Sequence, residues 1–398
     1  MKIKRAYNLR LYPTKAQEIL LKKTFGCCRK VFNCMLGKIK EKEKRPTEAE
    51  LKKELPFLKE VDSVALQQSR INLQRAFKNL KEKRAAYPKF KSRKSRQSFR
   101  TIQTNNNIKI DFENHTLKLP KLDSIKFRDE RIFEEKIRQV TVSKTSTGKY
   151  YASILVEKEI YPKKIERVTE NKAIGLDMAC GQFYVDSNNE SPSVNPKFYR
   201  KYEIKLAKEQ RRFSRKKKGS KNRNKNRIKV AKIHEKIKSS RLDFLHKLSN
   251  QIINDYDAIC IEDLNIKGMS RSLNLAKSVL DNAWSTFVNF LEYKALWSGK
   301  ILIKANRFFP SSKLCSSCNY KNKELTLKDR DWVCPLCGTY LNRDHNAGLN
   351  LKRYLIEYLN TLGTRGIYAC GDCVTPLPKP FLKGMVTATV YEAGSLAL

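Results

Sequence analysis

The run Lys172-Ala173-Ile174-Gly175-Leu176-Asp177 is apolar through its middle and closes on an acid, which reads as a buried strand with a carboxylate at its end. Tyr256-Asp257-Ala258-Ile259-Cys260-Ile261 repeats the pattern and runs into Glu262-Asp263. Phe183 to Val185, after a turn near Gly181, reads as another strand, and Ile301-Leu302-Ile303 as one more. Between them lie helical stretches. Residues 200–250 are strongly basic, with 11 basic residues and no acid among the 19 from Arg211 to Lys229. Gly219-Ser220 and the alternating Asn222, Asn224 and Asn226 predict a break there into two helices. The second carries Ile228, Ala231, Ile233, Ile237, Leu242, Leu245 and Leu248. A helix rich in Trp284, Phe287, Phe290, Leu291 and Trp297 leads to the last strand. Strands separated by helices predict an α/β layer.

Upstream the pattern changes. Residues 1–12 read as a strand, with Ile3, Ala6, Leu9 and Leu11 among basic neighbours. Pro13-Thr14 opens a helix from Ala16 to Leu36, whose apolar positions are Ile19, Leu20, Phe25, Val31, Phe32 and Leu36. A second helix from Asp62 has Val64, Ala65, Leu66, Ile71, Leu73, Ala76, Phe77 and Leu80 as its stripe. Gln67, Gln68 and Arg70 lie on its other face. They are side chains that can read base edges, or simply an exposed polar face. From Lys81 to Arg100, Tyr87, Phe90 and Phe99 interleave with Lys89, Lys91, Arg93 and Arg96, a mixture suited to stacking on bases while cations hold phosphates. Residues 101–165 alternate like antiparallel strands. The chain therefore divides into a strand-rich first domain over 1–165 with a helical insert at about 13–100, an α/β domain over 166–363, and a turn-rich, poorly ordered tail over 364–398. The tail pair Cys370 and Cys373 has no second pair beside it and is not expected to be a structural metal site.

Charge narrows the function. The 398 residues carry 83 Lys and Arg against 40 Asp and Glu, a net charge of +43. An enzyme of small metabolites gains nothing from such self-repulsion, whereas a polyanion neutralises it, and nucleic acid fits better than an acidic membrane surface. The basic N-terminus is followed by no apolar run, so no signal peptide is expected, and no segment approaches the roughly 18 apolar residues of a membrane span. Eleven cysteines without an export signal point to metal rather than disulfides, and to a cytoplasmic protein associated with the nucleoid through its cargo.

Two sets of residues carry chemistry. Cys315-x-x-Cys318 and Cys334-x-x-Cys337 are separated by 15 residues and supply four thiolates for a tetrahedral Zn²⁺. Four protein ligands leave no open position, so this zinc is structural. The acids Asp177, Glu262 and Asp344 stand at the ends of elements. Carboxylates gathered at the strand ends of an α/β sheet would suit two Mg²⁺ ions roughly 3.5–4 Å apart for phosphodiester hydrolysis, although sequence alone does not bring them together. His115, His234, His246 and His345 are scattered, and neither a nucleophile elbow nor a P-loop occurs.

Gly175-Leu176-Asp177, Ile261-Glu262-Asp263-Leu264, the paired cysteines and Asn342-Arg343-Asp344-His345-Asn346-Ala347 follow one another in an order that resembles the TnpB family, the OrfB-type proteins of bacterial insertion sequences. Tyr12-Pro13-Thr14-Lys15, Tyr87-Pro88-Lys89-Phe90-Lys91, Lys229 to Lys236 and Phe309-Pro310-Ser311-Ser312-Lys313 extend the likeness over nearly all of 1–352. The resemblance implies a β-barrel wedge domain with a helical recognition insert, then an RNase H-like (RuvC) domain with an inserted four-Cys zinc module at about 311–341. It also implies an RNA-guided, Mg²⁺-dependent endonuclease taking its guide from the element's end and cutting target DNA beside a short adjacent motif. Asp177, Glu262 and Asp344 would be its metal-binding carboxylates and Arg330 a residue facing phosphate. Base pairing would then supply specificity, and the run Arg215, Lys216, Lys217 and Lys218 would join the other basic residues on phosphates. Alternatives are a nuclease-silent, RNA-guided repressor of the same family and a transposase acting on element ends. Asn342 stands where the family usually has an acid, leaving the metal role of this motif to Asp344, with Asn342 and Asn346 as its possible neighbours; Asn319 stands where Gly is common after the first cysteine pair.

Overall fold

Strand β1 (Lys2–Tyr12) turns Tyr7, Leu9 and Leu11 into one core, as alternation along a strand requires. The computed structural model describes residues 1–163, 165, 167–188, 194–266, 268–269, 276–326, 328–362 and 390–392. The chain divides into two units, one formed by Lys2–Glu159 with residues 384–398, the other by Ile160–Lys383 with Met1.

In the first unit a helical segment separates β1 from six further strands: β2 (Gln97–Ile102), β3 (Lys109–Asp111), β4 (Thr116–Leu119), β5 (Leu122–Arg128), β6 (Ile137–Lys144) and β7 (Tyr150–Glu159). Their order is β2-β6-β7-β1-β5-β4-β3, and the short strand Val390–Glu392 joins β1 in parallel at Arg5–Tyr7. Apart from that strand, the tail expected to be poorly ordered, with Cys370 and Cys373, lies outside the described residues. β2 and β3 end the order without pairing to each other among the described residues, so strand pairing does not close a barrel. Helix α1 (Lys15–Lys40) starts in a capping box, Thr14 with Gln17, and buries Leu21, Phe25, Cys28, Val31, Phe32, Met35 and Leu36. Ile19, read as part of that stripe, is exposed. The short α2 (Glu48–Glu54) buries only Leu51 and so has no apolar periodicity to announce it. α3 (Ser63–Lys81) is capped by Asp62, whose carboxylate also accepts the Thr101 hydroxyl at 2.6 Å.

The second unit is built on β8 (Ala173–Asp177), β9 (Val185–Asp186), β10 (Ala258–Glu262) and β11 (Ile301–Ala305), ordered β11-β10-β8-β9. β8, β10 and β11 are parallel. β9 begins later than the sequence pattern implies, because Phe183 and Tyr184 go into the core and the Phe183 carbonyl accepts Trp284 Nε1 at 3.2 Å. α4 (Phe198–Ser214) and α5 (Lys221–Asp255) are joined by residues 215–220. The expected break is therefore confined to that turn: Ser220 caps α5, and Asn222, Asn224 and Asn226 lie inside its first turns. After α6 (Ala276–Asn282) comes α7 (Trp284–Ser298), and the last described helix is α8 (Arg343–Leu362).

Alternation along the parallel strands sorts this unit into layers. Ile174, Leu176, Ile259 and Ile261 point to one face, where Leu245, Ile252, Trp284, Phe287 and Leu291 of α5 and α7 cover them. Ala173, Ala258 and Cys260 point to the other, under Leu351, Leu355 and Leu359 of α8. Small residues on that second face let α8 come close. A Cβ on Gly175 would stand 2.2 Å from the Gly348 carbonyl oxygen and 2.5 Å from the Lys352 nitrogen.

Candidate active site and metal centre

The same alternation places the acids. Asp177 and Glu262 continue the small-residue series Ala173, Gly175 and Ala258, Cys260, so both belong to the face covered by α8. β8 and β10 pair in register with Ile261 opposite Leu176, which sets Glu262 beside Asp177 at the carboxyl ends of adjacent parallel strands. That is where open α/β sheets hold their ligands. Gly348 of α8 lies over Gly175. Two strand residues further is Asp177, about 6.6 Å along, and four helix residues back is Asp344, about 6 Å along. The tight crossing at glycine thus brings Asp344, in the first turn of α8, to the level of the other two acids.

Electrostatics reflects that convergence. The pKa of the Asp177 carboxyl is raised well above the usual carboxylate range, first by desolvation, then by the negative charges of Glu262 and Asp344, with Arg343 opposing. Arg330 Nη1 approaches both oxygens of Asp344, at 3.1 and 3.2 Å, from a largely exposed position. Buried Ser311 donates to Glu262 Oε1 at 2.6 Å. Crowded carboxylates with Arg330 and Arg343 at their edge form a donor set that a divalent ion would relieve, and hard oxygen ligands of this kind suit Mg²⁺. Ala179, Gly181, Gln182, Tyr340 and His345 continue the open cleft beside Asp344 and Arg330.

The sulfur site is built from two similar turns. Asn319 N–H donates to the Cys315 carbonyl at 3.0 Å and Gly338 N–H to the Cys334 carbonyl at 2.9 Å. Asn319 and Gly338 both take positive φ, 63° and 70°, so asparagine does serve where glycine is usual. The four Sγ atoms lie within 4.8 Å of one another, with Cys315–Cys337 at 3.6 Å and Cys318–Cys334 at 3.5 Å. Ligands about 2.3 Å from a tetrahedral ion would be about 3.8 Å apart, so the cluster fits a metal such as zinc. The Thr339 hydroxyl and N–H favour the thiolate of Cys337. Leu325, Trp332 and Leu341 form a small core beneath the cluster, with β12 (Asp331–Val333) and β13 (Tyr340–Asn342) as its ribbon.

Asn342 and Asn346 are occupied otherwise than expected. Asn342 accepts the His345 N–H at 3.2 Å as the cap of α8 and donates to Asp331 at 2.9 Å. Asn346 is buried and pairs with the Ser316 N–H and the Leu314 carbonyl, at 2.9 and 2.7 Å. Both hold backbone in place and neither bonds to Asp344.

The residues read as nucleic-acid contacts separate into two groups. Gln67, Lys89, Arg93, Arg96, Arg215, Lys217 and Lys218 are exposed and Lys216 is half-buried. Tyr87 and Phe90 are exposed and both stand against the Lys40 ammonium, 5.9 and 4.6 Å from their ring centres. The others have structural partners. Gln68 is buried and Phe99 belongs to the core. Arg70 pairs with Glu48 at 2.7 Å. Lys91 sits 3.8 Å over the Phe32 ring, its backbone N–H and carbonyl both held by Asn33, and desolvation lowers its pKa. Sequence reasoning also assigned no role to Ser311 or Asn350, whose partners lie far along the chain.

Comparison with known proteins identifies the family. Residues 153–273 match a family described as "Probable transposase" (OrfB of IS605) and residues 284–351 match "Cas12f1-like, TNB domain". Residues 1–45 match a family described as a helix-turn-helix domain, although the segment folds here as β1 and the single helix α1. A Streptomyces pristinaespiralis protein named "Putative RNA-guided DNA endonuclease" is 37% identical over 391 residues, covering 94% of this chain and 92% of its own. Escherichia coli (strain K12) "Putative RNA-guided DNA endonuclease InsQ" is 31% identical over 403 residues, 94% and 96% of the two chains. Among solved structures, the Cas12f1 chain of a Cas12f1-sgRNA-target DNA complex superposes with a TM-score of 0.55 at 17% identity, over 84% of this chain and 83% of that one, a likeness of fold. With two relatives above 30% identity matched along nearly their whole length, this chain belongs to the TnpB family, the OrfB-type proteins of IS605-like insertion sequences.

Proposed function

We propose that the chain is an RNA-guided DNA endonuclease that hydrolyses phosphodiesters at Asp177, Glu262 and Asp344. The observation carrying this reading is the set of three carboxylates gathered on one face at the ends of β8 and β10 and the start of α8, where burial and the charges of Glu262 and Asp344 oppose the ionisation of Asp177. Two Mg²⁺ ions, when bound, supply the activated water and the charge that stabilises the leaving oxygen. The protein's part is to hold three carboxylates at fixed positions and to keep Arg330 beside them. Its exposed guanidinium can pass from Asp344 to a phosphate oxygen as a strand enters the cleft. Guide RNA from the element's end and target duplex are the polyanions that the +43 charge answers, with base pairing as the source of specificity. A repressor without nuclease activity has no use for the gathered acids, so nothing in the site favours that reading.

Protein co-expressed with its element's flanking transcript, given Mg²⁺ and a plasmid library bearing the guide-matched target beside randomised bases, should cut plasmids that share one adjacent motif. RNase treatment before loading should abolish cutting. Cutting that survives RNase and follows element ends would mean a transposase, and specific binding without cutting would mean a repressor.

Two further outcomes are expected. Arg215, Lys217 and Lys218 stand exposed in the turn between α4 and α5, and Lys216 half-buried beside them. Changing all four to Ala should flatten the dependence of log affinity on log salt, by roughly 0.9 for each phosphate that is no longer neutralised. An unchanged slope would make the run a solvated turn. We assign Zn²⁺ to the four thiolates, in a purely structural role. Cys315→Ser should therefore release zinc and expose residues 311–341 to limited proteolysis, since a closed site of this kind contributes folding energy directly. A zinc-free variant that resists protease as the parent does would contradict this.

A further inference from the structure

The active-site acids and the sulfur cluster come from separate stretches of chain, yet Ser311 touches the structures that carry both. Its hydroxyl donates to Glu262 Oε1 at 2.6 Å. Its carbonyl accepts Asn350 Nδ2 at 2.7 Å, and the same amide donates to the Leu314 carbonyl at 2.7 Å. Asn350 lies on α8, six residues beyond Asp344, and Leu314 adjoins the metal ligand Cys315. Asn346 and Arg353, on the same side of α8, hold the first cysteine turn through Ser316, with Asn346 also on Leu314 and Arg353 on Asn319. Ser311, Asn346 and Asn350 are all buried, at 4, 1 and 2% exposure, and each uses its polar atoms within this network. A buried hydroxyl fixed at its own backbone leaves Glu262 little freedom, with Oε1 held by Ser311 and the carboxylate also hydrogen-bonded to Asp177.

We propose that Ser311 is the positioning residue of the nuclease site, fixing the Glu262 carboxylate in register with Asp344 by bonding Glu262 through its hydroxyl and the Asp344 helix through its carbonyl. This rests on the assignment of the three acids as the metal-binding set. Ser311 touches no reacting atom. Its effect is on how tightly divalent metal is held, and losing such an orienting partner typically weakens metal affinity or activity by about 10- to 100-fold.

The test uses the full-length chain and Mn²⁺ as the probe, with binding read from the loss of the free-ion paramagnetic signal and Asp177→Ala as the blank for ions bound elsewhere. Ser311→Ala should raise the Mn²⁺ concentration for half-saturation by about 10-fold or more. Zinc content and guide-RNA affinity should stay unchanged. Ser311→Thr, which keeps the donor, should restore most of the affinity. Asn350→Ala should shift binding in the same direction, and the double variant should go no further than the larger single change. Equal Mn²⁺ binding by Ser311→Ala and the parent would overturn the proposal, as would loss of zinc or of guide binding, which would make Ser311 a folding residue. The cleavage assay separates the two readings. If the parent chain binds Mn²⁺ at this site but cuts nothing, the nuclease assignment fails while the binding comparison still decides the role of Ser311.

Discussion

Asp177→Asn is expected to abolish cleavage, by at least about 10³-fold, and at the same time to make the metal-free protein melt at a higher temperature. Both results come from one cause. Asp177 is placed where desolvation and the charges of Glu262 and Asp344 oppose its ionisation, and its pKa in the folded protein lies well above the usual carboxylate value. In the unfolded chain an aspartate ionises near pH 4. Between those two values the folded state binds more protons than the unfolded one, so stability falls as pH rises through that window. Below the unfolded value both states are protonated and the penalty disappears. Melting curves of metal-free parent protein should therefore drop between about pH 4 and the raised pKa, then level off. The variant, which keeps the shape and loses the charge, should show a weaker drop. Divalent metal should raise the melting temperature of the parent and leave the variant nearly unmoved. A variant that melts lower than the parent at neutral pH, or still responds to metal, would mean that the three acids are not one repelling cluster.

Much of this site was readable in the sequence, and the reason is local chemistry. The spacing of the four cysteines announces two local turns, and positive φ at Asn319 and Gly338 suits those residues in that place, although α8 also holds the first turn through Asn346 and Arg353. The acids could be picked out because each ends an element. Their convergence was implicit in the alternation of Ala173, Gly175, Asp177 with Ala258, Cys260, Glu262, but only the register of β8 with β10 makes it visible. What escaped was decided across long separations. Gln67 and Gln68 are adjacent on α3, yet one is exposed and the other buried; Ser69 next to it donates to the Cys28 carbonyl of α1 at 2.6 Å, 41 residues away. Lys91 resembles its basic neighbours in sequence, but Phe32 and Asn33 of α1 occupy it. Ser311 and Glu262 are 49 residues apart, and no residue type announces such a bond. The strand-rich half reads easily as strands, but a barrel is a statement about how the first and last meet, and here β2 and β3 are not paired.

Gly175→Ala should be among the costliest single-methyl changes in the chain, because it strikes the backbone of α8 at two points. The added Cβ would meet the Gly348 carbonyl oxygen at 2.2 Å, the Lys352 nitrogen at 2.5 Å and the Leu351 Cβ at 2.9 Å. None of these can swing aside as the tip of a side chain could, so α8 must lift from β8. Overpacking of this sort costs about 3 kcal/mol or more, which for a unit of this size lowers Tm by roughly 6–12 °C. The catalytic loss should exceed the folding loss. Lifting α8 at Gly348 moves Asp344, one helical turn back, away from Asp177 and Glu262, while the cysteine turns travel with Asn346 and Asn350. At a temperature where the variant is fully folded, cleavage should therefore still be far below the parent's and the requirement for divalent metal should rise. Gly37→Ala is the control. It adds the same methyl within α1, where nothing lies within 4 Å, and should stabilise by about 0.5–1 kcal/mol. Parent-like melting and cutting by Gly175→Ala would mean that β8 and α8 are not in backbone contact, and the convergence of the three acids would then need another cause.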